Sequence, residues 1–315
     1  MNKIKNKPIF YPSVSSIAKN KLTALEHIEI LIALKYPYFL ISTYDIYNFN
    51  QEEKEKFELI KKKITDNKIN LIVDSGIYEK VWKQDETWTL ENYHKSIDSL
   101  PYNFVFNYDE YINPIDEPLD RIIESIKKSD IVDLVPILHA KNIEDLPQLC
   151  FEIAQLDTVK TIAIPERELG NGMIEGIHTI IQIREKLSKL ENYTKIHLLG
   201  TGNPLSLLLY SAFGVDSFDG LDWCQMVVNH EDGLLHHSLQ LDFFSYQSKY
   251  TNMYELSYIT RLFAHNLEFY SNWMNDINQE LEQGTIEDML KYYLPKSILT
   301  KILQMYGEYR ERTNK

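Results

Sequence analysis

Residues 197–224 read HLLGTGNPLSLLLYSAFGVDSFDGLDWC. An apolar run ending at Leu199 meets a glycine turn at Gly200-Thr201-Gly202, a short helical stretch opens at Pro204, and a second run carries Asp216, Asp219 and Asp222. Strand, turn, helix and strand in so few residues is the unit from which parallel sheets are built. Apolar residues closely flank Asp219, and a carboxylate in such surroundings is costly to keep unless it is paired or used. Asp219 is therefore a candidate for chemistry. Alternation along the strand places Asp219 and Asp222 on opposite sides of it, with Asp216 before its exposed end.

Outward from this unit the same alternation recurs. Eight short apolar runs lie at 9–14, 38–42, 70–73, 104–107, 134–138, 161–164, 196–199 and 217–221. Helical patterns separate them, among them 52–64, 90–99, 118–128, 143–154, 173–190 and 204–213. Continuous apolar strands between amphipathic helices indicate a parallel sheet covered by helices. Eight such units point to an α/β fold of the (β/α)8 TIM barrel type. No phosphate-binding glycine fingerprint follows the first strand, which lowers the case for a nucleotide-binding open sheet. From about Tyr246 the pattern becomes purely helical, over 253–273, 286–293 and 296–309. The expected organisation is a barrel over 1–245 and a helical C-terminal extension over 246–315 packed on it.

The formal charge of −13 argues against a surface that generally coats nucleic acid. The basic runs Lys61-Lys62-Lys63 and Lys127-Lys128 each close a helical stretch, where lysines favour the helix dipole. Two cysteines, Cys150 and Cys224, make no disulfide framework and suit a reducing compartment. No apolar run follows the basic first residues, so a signal peptide is not expected. The most apolar segment, 28–41, is interrupted by Glu29, Lys35 and Pro37 and does not read as a membrane span. These features imply a cytoplasmic protein.

Polar residues fall consistently at strand ends. Asp74-Ser75-Gly76 ends the third strand, Asp109-Glu110 the fourth and His139 the fifth. Glu166-Arg167 ends the sixth, Gly200 the seventh, and Asp219 lies in the eighth. The carboxyl ends of barrel strands are where such enzymes assemble their sites. Two carboxylates in one pocket can divide labour, one attacking an electrophilic carbon while the other moves protons. Sugar anomeric centres suit this pairing, and Asp74 with Asp219 could supply it. Asp74 could instead serve as a turn or helix cap. Tyr78 offers either a stacking face or packing, and Asp109 with Glu110 either reads N–H donors of a planar ring or stays solvated. His139 is an acceptor, a donor or a wall residue.

The order of these motifs resembles the tRNA-guanine transglycosylase superfamily. DSGIY at 74–78 is similar to its Asp-Ser-Gly-Gly-Tyr/Phe signature, YDE at 108–110 to Phe-Asp-Glu, and VPILHA at 135–140 to Val-Pro-Val-Val-Gln-Gly. HLLGTGNP at 197–204 is similar to Tyr-Leu-Met-Gly-Val-Gly-x-Pro, and GVDSFD at 214–219 to Gly-Ile-Asp-Met-Phe-Asp. The segment around Ala264-His265-Asn266-Leu267 and Phe269-Tyr270 resembles the closing helix. The resemblance implies a retaining base exchange, with Asp219 as nucleophile on the anomeric carbon and Asp74 as general acid/base. It implies that Tyr78 stacks on the base and that Asp109 reads its guanine-like edge. His139 stands at a base-reading position, and Gly200 brings backbone close to the base. Ser75 and Glu166 complete the expected substrate-binding set.

Departures from the pattern are informative. Ile77 replaces the second signature glycine, and Gly220-Leu221-Asp222-Trp223-Cys224-Gln225 replaces Pro-Thr-Arg. The Cys-x-Cys-x-x-Cys zinc motif is absent, although His265 matches the histidine ligand. A remodelled zinc site could draw on Cys224, His230, His236 or His237, but their spacing is not a recognisable zinc pattern, and no cofactor is assigned. IPERELG at 164–170 and FDGLDWC at 218–224 look more like the divergent branch that inserts 7-deazaguanine bases into DNA. The expectation is therefore DNA before tRNA as the nucleic acid, a 7-deazaguanine as incoming base, and a partner protein or homodimer supplying grip. The rivals are a tRNA enzyme, a non-catalytic paralogous subunit, and a retaining glycosidase acting on a small nucleoside.

Overall fold

Each of the eight apolar runs forms a strand: β1 Ile9–Val14, β2 Tyr38–Ser42, β3 Asn70–Asp74, β4 Phe104–Phe106, β5 Leu134–Val135, β6 Thr161–Pro165, β7 Lys195–Leu199 and β8 Ser217–Gly220. The computed structural model describes residues 7–313 except 19, 21, 99, 110–117, 129, 130 and 132, so Glu110 lies outside the described residues. The strands form one sheet in the order β5-β4-β3-β2-β1-β8-β7-β6, every pair parallel. The seam between β5 and β6 is spanned by a parallel bridge from Ile137 to Ala163. There the Leu138 N–H donates to the Ala163 carbonyl at 2.8 Å, and the Ala163 N–H to that of Pro136 at 2.9 Å. Pro136 has no N–H for a ladder. The Asn107 side chain continues the pairing instead, accepting the Ile137 N–H at 2.7 Å. The result is a nearly closed (β/α)8 barrel, as the alternation predicts.

Inward-facing Tyr11, Leu40, Ile72, Phe106, Val135, Ile137 and Ala163 fill the barrel. A larger apolar layer lies between the strands and the surrounding helices. The helix Gln51–Asp66 shows how the sequence sets these elements. Asn50 and Glu53 form a capping box at its start, and Phe57, Ile60 and Ile64 put a helical stripe into the core. The apolar segment 28–41 splits between the helix Ala24–Ala33 and strand β2. Among the described residues no helix is long and apolar enough to cross a membrane.

After β8 a short antiparallel hairpin, β9 Met226–Val228 and β10 Leu235–His237, precedes the C-terminal helices. The helix Tyr258–Gln283 buries Leu262, Phe263, Leu267, Tyr270 and Trp273. Its polar groups tie down the loops at the barrel mouth. The Tyr270 hydroxyl donates to the Gly202 carbonyl at 2.7 Å and Trp273 Nε1 to that of Pro204 at 2.9 Å. Asn266 Nδ2 donates to the Trp223 and Met226 carbonyls at 2.8 and 2.7 Å. Helices Ile286–Tyr293 and Lys296–Thr313 complete the chain.

Candidate active site

A cavity of about 980 Å³ opens at the carboxyl ends of the strands, and it is lined by all eight site residues singled out in the sequence. The convergence follows from the barrel. Residues at the ends of β3 to β8 are far apart in the chain but face one mouth, because all eight strands run in the same direction.

Asp219 sits opposite Tyr11 in the β1–β8 register and is 8% exposed. Its carboxylate is held from three sides. The Ser13 hydroxyl donates to Oδ2 at 2.7 Å, His197 Nε2 lies 3.1 Å from Oδ1, and the Gly200 N–H donates to Oδ1 at 3.3 Å. His197 is in turn fixed by the Ser217 hydroxyl, 2.8 Å from Nδ1. Gly200 has φ +73, a left-handed conformation that glycine adopts without strain. The sequence reading missed Ser13 and His197 as partners. The one available signal was that both are polar residues inside otherwise apolar strands.

The other two aspartates of the opening stretch separate in role. Asp216 is buried against Arg184, which binds it directly. It also accepts the Tyr193 hydroxyl at 2.8 Å and the Ile196 N–H at 2.7 Å, a structural knot outside the cavity. Asp222 lines the same cavity as Asp219, which corrects the expectation that it faces the other side. Strand β8 ends at Gly220 and Asp222 begins the short helix Asp222–Gln225, so strand alternation does not reach it.

Asp74 ends β3, beside Ser42 of β2. Its Oδ2 accepts the Gly76 N–H at 2.9 Å, so the turn-capping role is real and coexists with a place in the cavity wall. Gly76 has φ +78, and a Cβ there would meet the Tyr44 Cβ at 2.5 Å. Burial pushes the Asp74 carboxyl up to about 6; the Gly76 N–H opposes that rise, and the charges of Asp219 and Asp109 add to it. Its charge acts on an acid pair that the sequence did not signal. Glu79 is 2% exposed, receives the Ser15 hydroxyl and is pushed up to about 8 by burial and by the charges of Asp45 and Asp74. Asp45 accepts the Ser16 N–H at 2.7 Å and stands 3.9 Å from Lys83 Nζ.

His139 is clamped between two carboxylates. Its Nε2 lies 2.6 Å from Asp109 Oδ2 and its Nδ1 2.5 Å from Glu168 Oε1. Burial pushes the imidazole down, but the hydrogen bonds and charges of Asp109 and Glu168 outweigh it and raise it to about 9. Both ring nitrogens are so engaged, and His139 lines the cavity beside Asp109. Glu168, the partner that sequence reasoning missed, sits in the turn Glu166–Glu168 that follows β6. Burial raises the Glu166 carboxyl, and the charge of Asp222 adds to the rise. Ser75 is buried in the cavity wall, and its carbonyl accepts the Trp88 N–H at 2.9 Å. Tyr78, by contrast, stands at the rim, 47% exposed.

The candidate zinc ligands do not assemble. The His265 and His230 rings stack 4.1 Å apart, and His265 donates from Nε2 to the Val228 carbonyl at 2.8 Å. The Cys224 thiol donates to the Leu221 carbonyl at 3.2 Å, and burial pushes it up, away from the thiolate a metal needs. His236 packs on Phe244 and His237 caps the turn Ser238–Phe244. Among the described residues no group of three or more His, Cys, Asp or Glu side chains could hold a metal ion. No protein-family model matches the chain, and no curated protein is significantly similar to it.

Proposed function

We propose that this chain is a cytoplasmic base-exchange transglycosylase of the type it resembles. It replaces guanine in a polynucleotide, DNA rather than tRNA, with a 7-deazaguanine base through a covalent Asp219–glycosyl intermediate. The observation that carries this reading is the pairing of Asp219 with Asp74. The two carboxyl groups line one cavity, and the charge of Asp219 is among the causes that hold Asp74 at about 6. One acid stays oriented by Ser13, His197 and Gly200, while the other can carry a proton near neutral pH.

In this mechanism a carboxylate oxygen of Asp219 attacks the anomeric carbon as the bond to guanine breaks. The leaving base takes the proton from Asp74. The incoming base then attacks the same carbon, returns its proton to Asp74 and releases Asp219. Two displacements retain configuration, and the covalent intermediate conserves the energy of the glycosidic bond. The target nucleotide enters flipped from its stack or single-stranded, and Asp109, held by His139, meets the edge of the base. In this reading a basic partner or second subunit supplies most of the grip on nucleic acid, an expectation motivated by the net charge of −13.

The test supplies labelled guanine or labelled 7-cyano-7-deazaguanine with DNA or tRNA to the wild type and to Asp219→Ala. Label enters DNA with the wild type and not with the variant. Label in tRNA alone moves the substrate to tRNA. Label in neither polymer overturns the reading, and undiminished exchange by Asp219→Ala removes Asp219 from its role.

A further inference from the structure

The helix Ile77–Lys83 leaves the end of β3 at the cavity rim and reads IYEKVWK. Its Tyr78, Val81 and Trp82 are 47%, 61% and 60% exposed, and all three line the cavity that holds Asp74 and Asp219. The Tyr78 and Trp82 rings, one helical turn apart, meet edge to face with centroids 6.1 Å apart. The other three tryptophans behave differently. Trp88, Trp223 and Trp273 are at most 2% exposed, and each donates its indole N–H to a backbone carbonyl. Trp82 is thus the one tryptophan of four that turns its ring to solvent, beside the candidate site.

Charge on this helix runs against that of the chain. Lys80 accompanies the rings and Lys83 is held against Ser16 and Asp45, while the helix's acid, Glu79, is turned inward against Ser15 and held toward its neutral form. Exposed aromatic faces with a lysine beside them suit a single strand, whose bases stack and whose phosphates need cations.

We propose that Trp82, with Tyr78 beside it, is a stacking platform for single-stranded nucleic acid. Trp82 takes the base of a nucleotide flanking the one that enters the cavity. The identity of this occupant rests on the polynucleotide reading above. Trp82 is then a positioning residue: it fixes how the strand crosses the mouth, and stacking tolerates any neighbouring base because each has a π face.

The arrangement supplies its own reporter, since Trp82 dominates the solvent-exposed indole emission. Titrating the full chain with a single-stranded oligodeoxynucleotide quenches that emission saturably, and the response is lost in Trp82→Phe. Trp82→Ala weakens oligonucleotide affinity about tenfold, and Trp82→Phe less, because a phenyl ring still stacks. In base exchange the loss falls on KM for the polynucleotide, with the affinity for free base kept. Absence of quenching, or an unchanged affinity of Trp82→Ala, overturns the proposal. So does a changed sedimentation coefficient of Trp82→Ala without any oligonucleotide response, which assigns the strip to a protein contact. Quenching without any base exchange leaves this platform standing and refutes the transglycosylase reading alone.

Discussion

Replacing His139 with Gln tests the electrostatic frame of the candidate site. The imidazole lies between Asp109 and Glu168, at 2.6 and 2.5 Å, and is raised from 6.5 to about 9. At about 1.4 kcal/mol per pH unit, that rise corresponds to about 3 kcal/mol of folding stability. The sign follows from proton binding. Below 6.5 the histidine is charged in folded and unfolded chains alike, and the stabilisation is complete. As pH rises through about 9 the folded state loses its extra proton and the stabilisation disappears. Glutamine carries no proton to lose, so His139→Gln removes this dependence. Urea unfolding of both proteins between about pH 6 and 10 measures it. The advantage of the wild type over His139→Gln shrinks by about 3 kcal/mol across that range, leaving only a constant packing difference. Parallel pH profiles would refute a charged imidazole between the two acids.

Three further outcomes follow from the same geometry. Asp74→Asn makes the protein more stable at pH 7 by about 3 kcal/mol, because a carboxyl raised from 3.8 to about 6 penalises folding once pH exceeds its unfolded value; thermal melts check the gain, and label incorporation checks the expected loss of exchange. Arg184→Met leaves Asp216 buried without its cation and lowers unfolding free energy by about 3–5 kcal/mol, whereas the double change with Asp216→Asn recovers part of it. Gly76→Ala forces a Cβ to within 2.5 Å of the Tyr44 Cβ at φ +78, costing about 2 kcal/mol or more in denaturant melts and moving the Asp74 turn.

The barrel was readable in the sequence because strands buried on both faces are continuous apolar runs, and the helices between them keep a stripe. Runs at 9–14, 38–42 and 118–128 have the same bounds as the elements that form there. The hairpin of β9 and β10 escaped notice: three-residue strands carry too little periodicity to detect. The wall residues of the candidate site were readable because polar residues at strand ends share one face once the strands run parallel. Their partners were not. Ser13 and Asp219 are 206 residues apart, and no local pattern announces such a pair.

By itself, then, the sequence determined the strand–helix alternation and the set of polar strand ends, since both follow from local periodicity and the common direction of the strands. Tertiary structure alone decided what each acid became. Strand alternation could not follow the chain past Gly220, where Asp222 turns back to the cavity. Nor could it say that Asp216 meets Arg184, that Asp219 meets Ser13 and His197, or that His139 bridges Asp109 and Glu168. The charge state of a carboxyl or imidazole depends on burial and on neighbours within a few ångströms, and those neighbours come from strands that only barrel closure brings together.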